Sequence, residues 1–288
     1  QFEDYMWLLS PFRLVHRTAK RFHSERFVQT AAALSFTTLL ALVPMIAVAF
    51  ALISQFSFAS DLGLALEKFL LATLLPEKAG TLIAKYLGQF AHRSEQVTVI
   101  GMSALAIVAL MQMLTIEHAF NAIWRIDQRR PFVRRVTMHT VALLLGPIIF
   151  GAALVALTFI ASASLGLADE PQWVHASVNK GLSFAVLMAL FALLYWRVPN
   201  TEVPPLHALF GGLVAAGGFT ALQKLFTLYI IKLPSYTIIY GAFSAVPVFL
   251  SWIYGSWTVI LIGALLVAEM SPAPSPPNRR GLRRKSLL

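Results

Sequence analysis

Six stretches of this sequence are each apolar over the roughly 20 residues that an α-helix needs to cross a bilayer. They run approximately over residues 31–53, 97–116, 140–165, 180–198, 206–228 and 240–268. Inside hydrocarbon the backbone finds no water to bond, so such stretches can cross only as helices that satisfy their own N–H and C=O groups. The fold expected is therefore all-α, a polytopic membrane bundle of six transmembrane helices. Composition argues the same way: of 288 residues, 58% are hydrophobic and only 12% charged, about half the share usual in a soluble domain. The 23 Lys and Arg and 13 Asp and Glu cannot coat a 31.7 kDa globule. A soluble enzyme, a coiled coil and a disordered chain are disfavoured.

The formal net charge of +10 would by itself suggest nucleic acid. Its distribution points elsewhere. Five basic residues precede the first span (Arg13, Arg17, Lys20, Arg21, Arg26), and five lie between spans two and three (Arg125, Arg129, Arg130, Arg134, Arg135). Arg197 closes span four, and Arg279, Arg280, Arg283, Arg284 and Lys285 follow span six. All these fall on one side of the bilayer. The other side holds Lys68, Lys78, Lys85, Arg93, Lys180 and Lys232. The excess of Lys and Arg marks the cytoplasmic side, which places both termini there. The clusters then read as topological anchors touching anionic headgroups, with membrane lipid rather than nucleic acid as the partner.

Residues 2–27 pattern as an interfacial amphipathic helix, with Trp7, Phe12, Val15 and Phe22 alternating with arginines. They do not read as a cleavable signal peptide, and because the chain starts at Gln1 an initiator Met or short leader is expected before it. Between spans one and two, residues 54–96 suggest two short amphipathic helices broken at Pro76, either a packed cap or a lid over an outward cavity. Residues 1–270 form one transmembrane domain. Residues 271–288 form a proline-rich basic tail, expected to be weakly ordered.

Within the spans, Pro44, Pro147 and Pro247 are expected to kink their helices. Span five is rich in small residues (Ala208, Gly211, Gly212, Ala215, Ala216), which allow close helix approach and suggest a central helix. Polar residues at membrane depth are functional candidates. Gln112 lies within span two, and Glu117, Asn121 and Arg125 follow at four-residue steps, hence on one face. Arg197 and Glu269 end spans four and six. Glu117 or Glu269 could pair with Arg125 or Arg197, as an ion-pair network locking helix ends or as a substrate site. Gln223 and Lys224 lie near the outer end of span five, where Lys224 either snorkels to headgroups or faces a cavity.

Catalytic signatures are missing. There is no cysteine, so thiolate chemistry and Cys-ligated metals are excluded. The seven histidines show no metal-ligand spacing, and there is no GxSxG, P-loop or GxGxxG motif. No catalytic residue, cofactor or metal is expected, and a non-enzyme is the better reading.

Five segments together carry a resemblance: AAALSFTTLLALVP (31–44), FNAIWRIDQRRPFVRR (120–135), YWRVPN (195–200), GGLVAAGGFTALQKLFTLYI (211–230) and YGAFSAVPVFLSWIYGSWTVILIGALLVAE (240–269). In order, they resemble the YihY/BrkB family of bacterial inner-membrane proteins, once labelled ribonuclease BN. Matching positions include Pro44, Asn121, Trp124, Arg130, Arg197, Pro199, Lys224, Tyr240, Gly241, Trp252, Tyr254 and Glu269. The resemblance implies six spans, cytoplasmic termini and a role in envelope biology, with lipid or envelope-precursor handling suggested. A non-ATP-driven transporter or translocator is the first expectation. A non-transporting envelope scaffold, possible also as a homo-oligomer, is the second, and ribonuclease activity is disfavoured.

Overall fold

A computed structural model of the chain describes residues 11–53, 99–126, 130–165, 172–231 and 245–271. These form seven helices and no strand: α1 (Pro11–Ser24), α2 (Phe27–Ile53), α3 (Val99–Ile123), α4 (Phe132–Leu165), α5 (Gln172–Arg197), α6 (Pro205–Ile231) and α7 (Ala245–Met270). The two-helix segment at 54–96, Trp7, Tyr240, Gly241 and the basic tail lie outside the described residues. Among the described residues, helices α3 to α7 each hold a run long and apolar enough to cross a membrane, and in α2 the apolar part that is described is Phe27–Leu42.

Local chemistry sets where the helices stop. Helix α3 ends in a Schellman motif: the Ile126 N–H donates to the Asn121 carbonyl (2.9 Å) and the Arg125 N–H to the Ala122 carbonyl (3.0 Å). That geometry puts Arg125 in the left-handed region (φ 54°), and Arg26 after α1 does the same (φ 58°). Pro205 opens α6 at the first helical position, where proline's missing N–H costs no intrahelical bond. Pro44 and Pro147 lie inside α2 and α4. Pro247 lies in the first turn of α7 as described, a position that tolerates proline.

Helix α7 is the central one: 50% of its membrane run is buried, against 33% for α6. It packs on α6, α2, α1, α3 and α5, whereas α6 packs mainly on α5 and α7. The small residues of α6 act as expected for close packing but do not make that helix central. A Cβ at Gly212 would lie 2.6 Å from the Met188 carbonyl oxygen, so α5 and α6 touch backbone to backbone there. Gly211 likewise faces Val267 of α7, while Gly217 has open space beside it.

The core between α3, α5, α6 and α7 is filled by rings. Phe120, Tyr195, Phe191, Phe219, Trp252 and Phe226 follow one another with successive centroids 5.2–6.5 Å apart. Tyr195, fully buried, donates its hydroxyl to the Ile260 carbonyl across 2.9 Å. Helix α4 is held differently, by a small apolar cluster of Leu143 with Ala109 and Met113 on α3 and Met45 on α2.

Candidate functional site

Hydrogen bonds and ion pairs gather α1, the end of α3, the start of α4, the α5–α6 connector and the end of α7 at one end of the bundle. This is the arginine-rich end, and two networks occupy it.

The first centres on Glu117, whose side chain is 1% exposed. Its Oε2 accepts from Arg135 Nε at 2.8 Å and bonds His139 Nε2. Its Oε1 has no hydrogen-bond partner and lies 3.9 Å from Arg130. Arg135 also donates to the Leu114 carbonyl (3.0 Å). Arg130 donates to Asn200 Oδ1 (2.9 Å) and the Pro199 carbonyl (3.2 Å), and the Asn200 N–H donates to Asn121 Oδ1 (2.9 Å). One carboxylate thus ties α3 to α4, and Arg130 carries the tie to the α5–α6 connector.

The second network binds α1. Arg21 reaches Glu269 (3.1 Å), Glu25 (2.9 Å) and the Ile123 carbonyl at the end of α3 (2.5 Å). Arg17 adds a second contact to Glu269 (3.2 Å), and Glu25 also accepts from Arg125 (2.5 Å). Burial alone would raise the Glu25 pKa. The hydrogen bonds and charges of Arg21 and Arg125 outweigh it and hold this carboxyl below its ordinary value. Glu25 in turn raises the Arg125 pKa. Helix α1 therefore packs on the bundle through its Arg17/Arg21 side, while His16, Lys20 and the 60%-exposed Val15 face away.

Between the networks lies an open cleft of about 390 Å³ lined by Glu117, His118, Asn121, Ala122, Arg125, Ile126 and Arg135. The helical spacing correctly brings Glu117, Asn121 and Arg125 to one wall. Glu117 and Glu269 make no direct ion pair with Arg125 or Arg197, although the charge of Glu269 is felt at Arg125 and adds to the rise of its pKa. Glu117 and Arg125 stand two turns apart on one helix, about 12 Å along its axis, and each is nearer to a partner on another element. Arg197 instead lies over the Trp196 ring, 4.5 Å from its centroid. Sequence reasoning places Arg21 and Arg135 only as basic anchors of this end, and singles out none of Glu25, His139 and Asn200 as site residues. The one signal available was Arg135 and His139 at i, i+4, which put a second polar face on α4.

Deeper in the bundle, Gln112 donates to Thr38 Oγ1 (2.7 Å), which also accepts from Trp257 Nε1 (2.9 Å). This buried knot joins α2, α3 and α7. Lys224 is exposed and Gln223 half-buried. Among the described residues, no three His, Asp or Glu come together as a metal site.

A helical bundle with several membrane-length apolar helices and its ion pairs gathered at one end defines an integral membrane protein. The sequence profile of the family described as "Virulence factor BrkB" matches residues 18–285, and the chain belongs to that family. It is 45% identical over 250 residues to a UPF0761 membrane protein of Aromatoleum aromaticum, covering 87% of this chain and 61% of that one. To a UPF0761 membrane protein of Azoarcus sp. it is 44% identical over 251 residues (87% and 62%), and to one of Nitrosospira multiformis 35% over 278 (95% and 65%). The chain thus spans somewhat over three fifths of the length of these curated relatives. No solved structure matches.

Proposed function

We propose that the chain is a six-span protein of the bacterial inner membrane, with its arginine-rich end and both termini cytoplasmic, and that it is a non-ATP-driven translocator of lipids or envelope precursors. The observation that carries this reading is the cleft at the arginine-rich end, walled by a buried carboxylate and by arginines. Polar side chains at such depth are costly unless they serve a ligand or each other. Among the described residues, rings fill the core between α3, α5, α6 and α7, so on this reading a substrate loads at the cleft and moves along the bundle's flank. Reconstitution in liposomes with labelled phospholipids, lipid-linked glycans and small organic ions tests it. Absence of movement of all three, with folded protein verified, would overturn it.

A second reading is a non-transporting envelope scaffold, alone or as a homo-oligomer. The filled core and the exposed Lys224 favour it. Nuclease chemistry is the poorer reading, because a two-metal site needs converging carboxylates or histidines.

A further inference from the structure

We infer that the cleft at the α3–α4 turn is a binding site for a phosphate-class oxyanion, held by Arg125, Arg135 and His118. This deepens the translocator reading by naming the chemistry of its ligand, and rests on that reading only for the ligand's later movement.

Charge balance carries the inference. Glu117 is the one carboxylate, among the described residues, that faces Arg130, Arg135 and His139. Among the described residues, one carboxylate against the two guanidiniums leaves this part-buried set with one positive charge too many. The other partners of Arg130 are neutral (Asn200, the Pro199 carbonyl and the Met138 sulfur), so they satisfy hydrogens without cancelling charge. Both guanidiniums are only 16% exposed, so water compensates poorly. The α1 network sets three arginines on two carboxylates, but Arg17 and Arg125 are exposed enough for water to screen that surplus. An anion in the cleft would balance the set.

The lining suits an oxyanion. Arg135 and Arg125 stand on the α4 and α3 sides of the cleft; Nε and Nη2 of Arg135 are held by Glu117 and the Leu114 carbonyl, so it meets a ligand through Nη1 and its charge. His118 is exposed on the same wall. Glu117 does not repel the ligand strongly, since Arg135 and His139 engage its Oε2. Arg125 is also shared: Glu25 holds it from the α1 side, so a ligand competes with Glu25 for the same guanidinium.

The shared chemistry is a phosphate, on a lipid headgroup or free in solution. Purified protein in a non-ionic detergent would be titrated by calorimetry with inorganic phosphate, and separately with a short-chain phosphatidic acid. Saturable binding of either is expected: the lipid alone identifies a headgroup site, and both together a general phosphate site. Arg125→Gln should weaken binding by about tenfold, the value of one charge-assisted hydrogen bond. Glu25→Gln, which frees Arg125, should tighten it by about threefold, roughly the value of an exposed ion pair. Both sites are partly exposed, so both variants should fold, as checked by thermal melting. Failure of both probes to saturate would overturn the inference, as would Arg125→Gln and Glu25→Gln both binding like the parent. Saturable binding without transport in liposomes would overturn only the translocator reading.

Discussion

Replacing Gly212 by alanine should pry apart α5 and α6. The new Cβ would stand 2.6 Å from the Met188 carbonyl oxygen and 2.8 Å from the Ala192 nitrogen. Both are backbone atoms of α5, so no side chain can rotate away. Reaching an ordinary contact of 3.4 Å requires the helices to separate by about 0.8 Å. Overpacking of this kind costs about 1–3 kcal/mol, and rigid backbone on the far side argues for the upper part of that range. Alanine recovers up to about 1 kcal/mol of helix propensity, leaving a net loss of roughly 2 kcal/mol. Gly217→Ala, on the same helix with nothing within 4 Å, receives the propensity gain without the clash. The two variants should therefore differ by about 3 kcal/mol in opposite directions, read by reversible unfolding in mixed micelles. The loss should reach the cleft as well, because α5 leads into Asn200, which holds Arg130 and Asn121. Equal stability of the two variants would refute the close α5–α6 approach.

Glu117→Gln should cost about 3–5 kcal/mol, since it leaves two part-buried arginines without their carboxylate. Adding Arg135→Met should recover part of that loss in the same unfolding assay. Thr38→Val strands two buried donors, Gln112 Nε2 and Trp257 Nε1, and should cost about 1–2 kcal/mol, whereas Trp257→Phe should cost less. Because the Glu25 pKa is lowered in the folded state, its contribution is present above the unfolded value near 4.3 and is lost as pH falls through the folded one. Hydrogen exchange of α1 should rise over that acid window, and Glu25→Gln should show the faster exchange at neutral pH. The chain has no cysteine, so Ser271→Cys gives a single label site at the arginine-rich end. A membrane-impermeant thiol reagent should reach it only from the cytoplasmic side.

What could be read from the sequence followed the physics of each signal. Bilayer-length apolar runs announce helices because hydrocarbon tolerates little else, and among the described residues five helices are long and apolar enough to cross. The arginine clusters at 125–135 and 13–26 marked one end of the bundle, and ion pairs across helices bring them together there. Helical spacing placed Glu117, Asn121 and Arg125 on one face, because that relation is internal to α3. It could not show that Arg135 and His139 arrive from α4, or that Arg21 of α1 would claim Glu269, because those meetings depend on how helices cross. Small residues marked α6 as tightly packed. Centrality belongs to α7, whose burial depends on its neighbours rather than on its own side chains.

The two networks divide the work at the arginine-rich end. The α1 network comes near to closing its own accounts: Arg17, Arg21 and Arg125 share Glu25 and Glu269, and Arg17 and Arg125 are exposed enough for water to settle the remainder. A fastening is expected to look like that. The Glu117 network sets two arginines of low exposure against one carboxylate, and leaves one oxygen of that carboxylate without a hydrogen bond. If its role were only to lock α3 to α4, well-packed apolar side chains of similar volume would often serve as well or better. Surplus charge beside an open cleft is what a site for an anion requires before the anion arrives, and it makes ligand binding and the tie between α3 and α4 depend on the same arginine, Arg135.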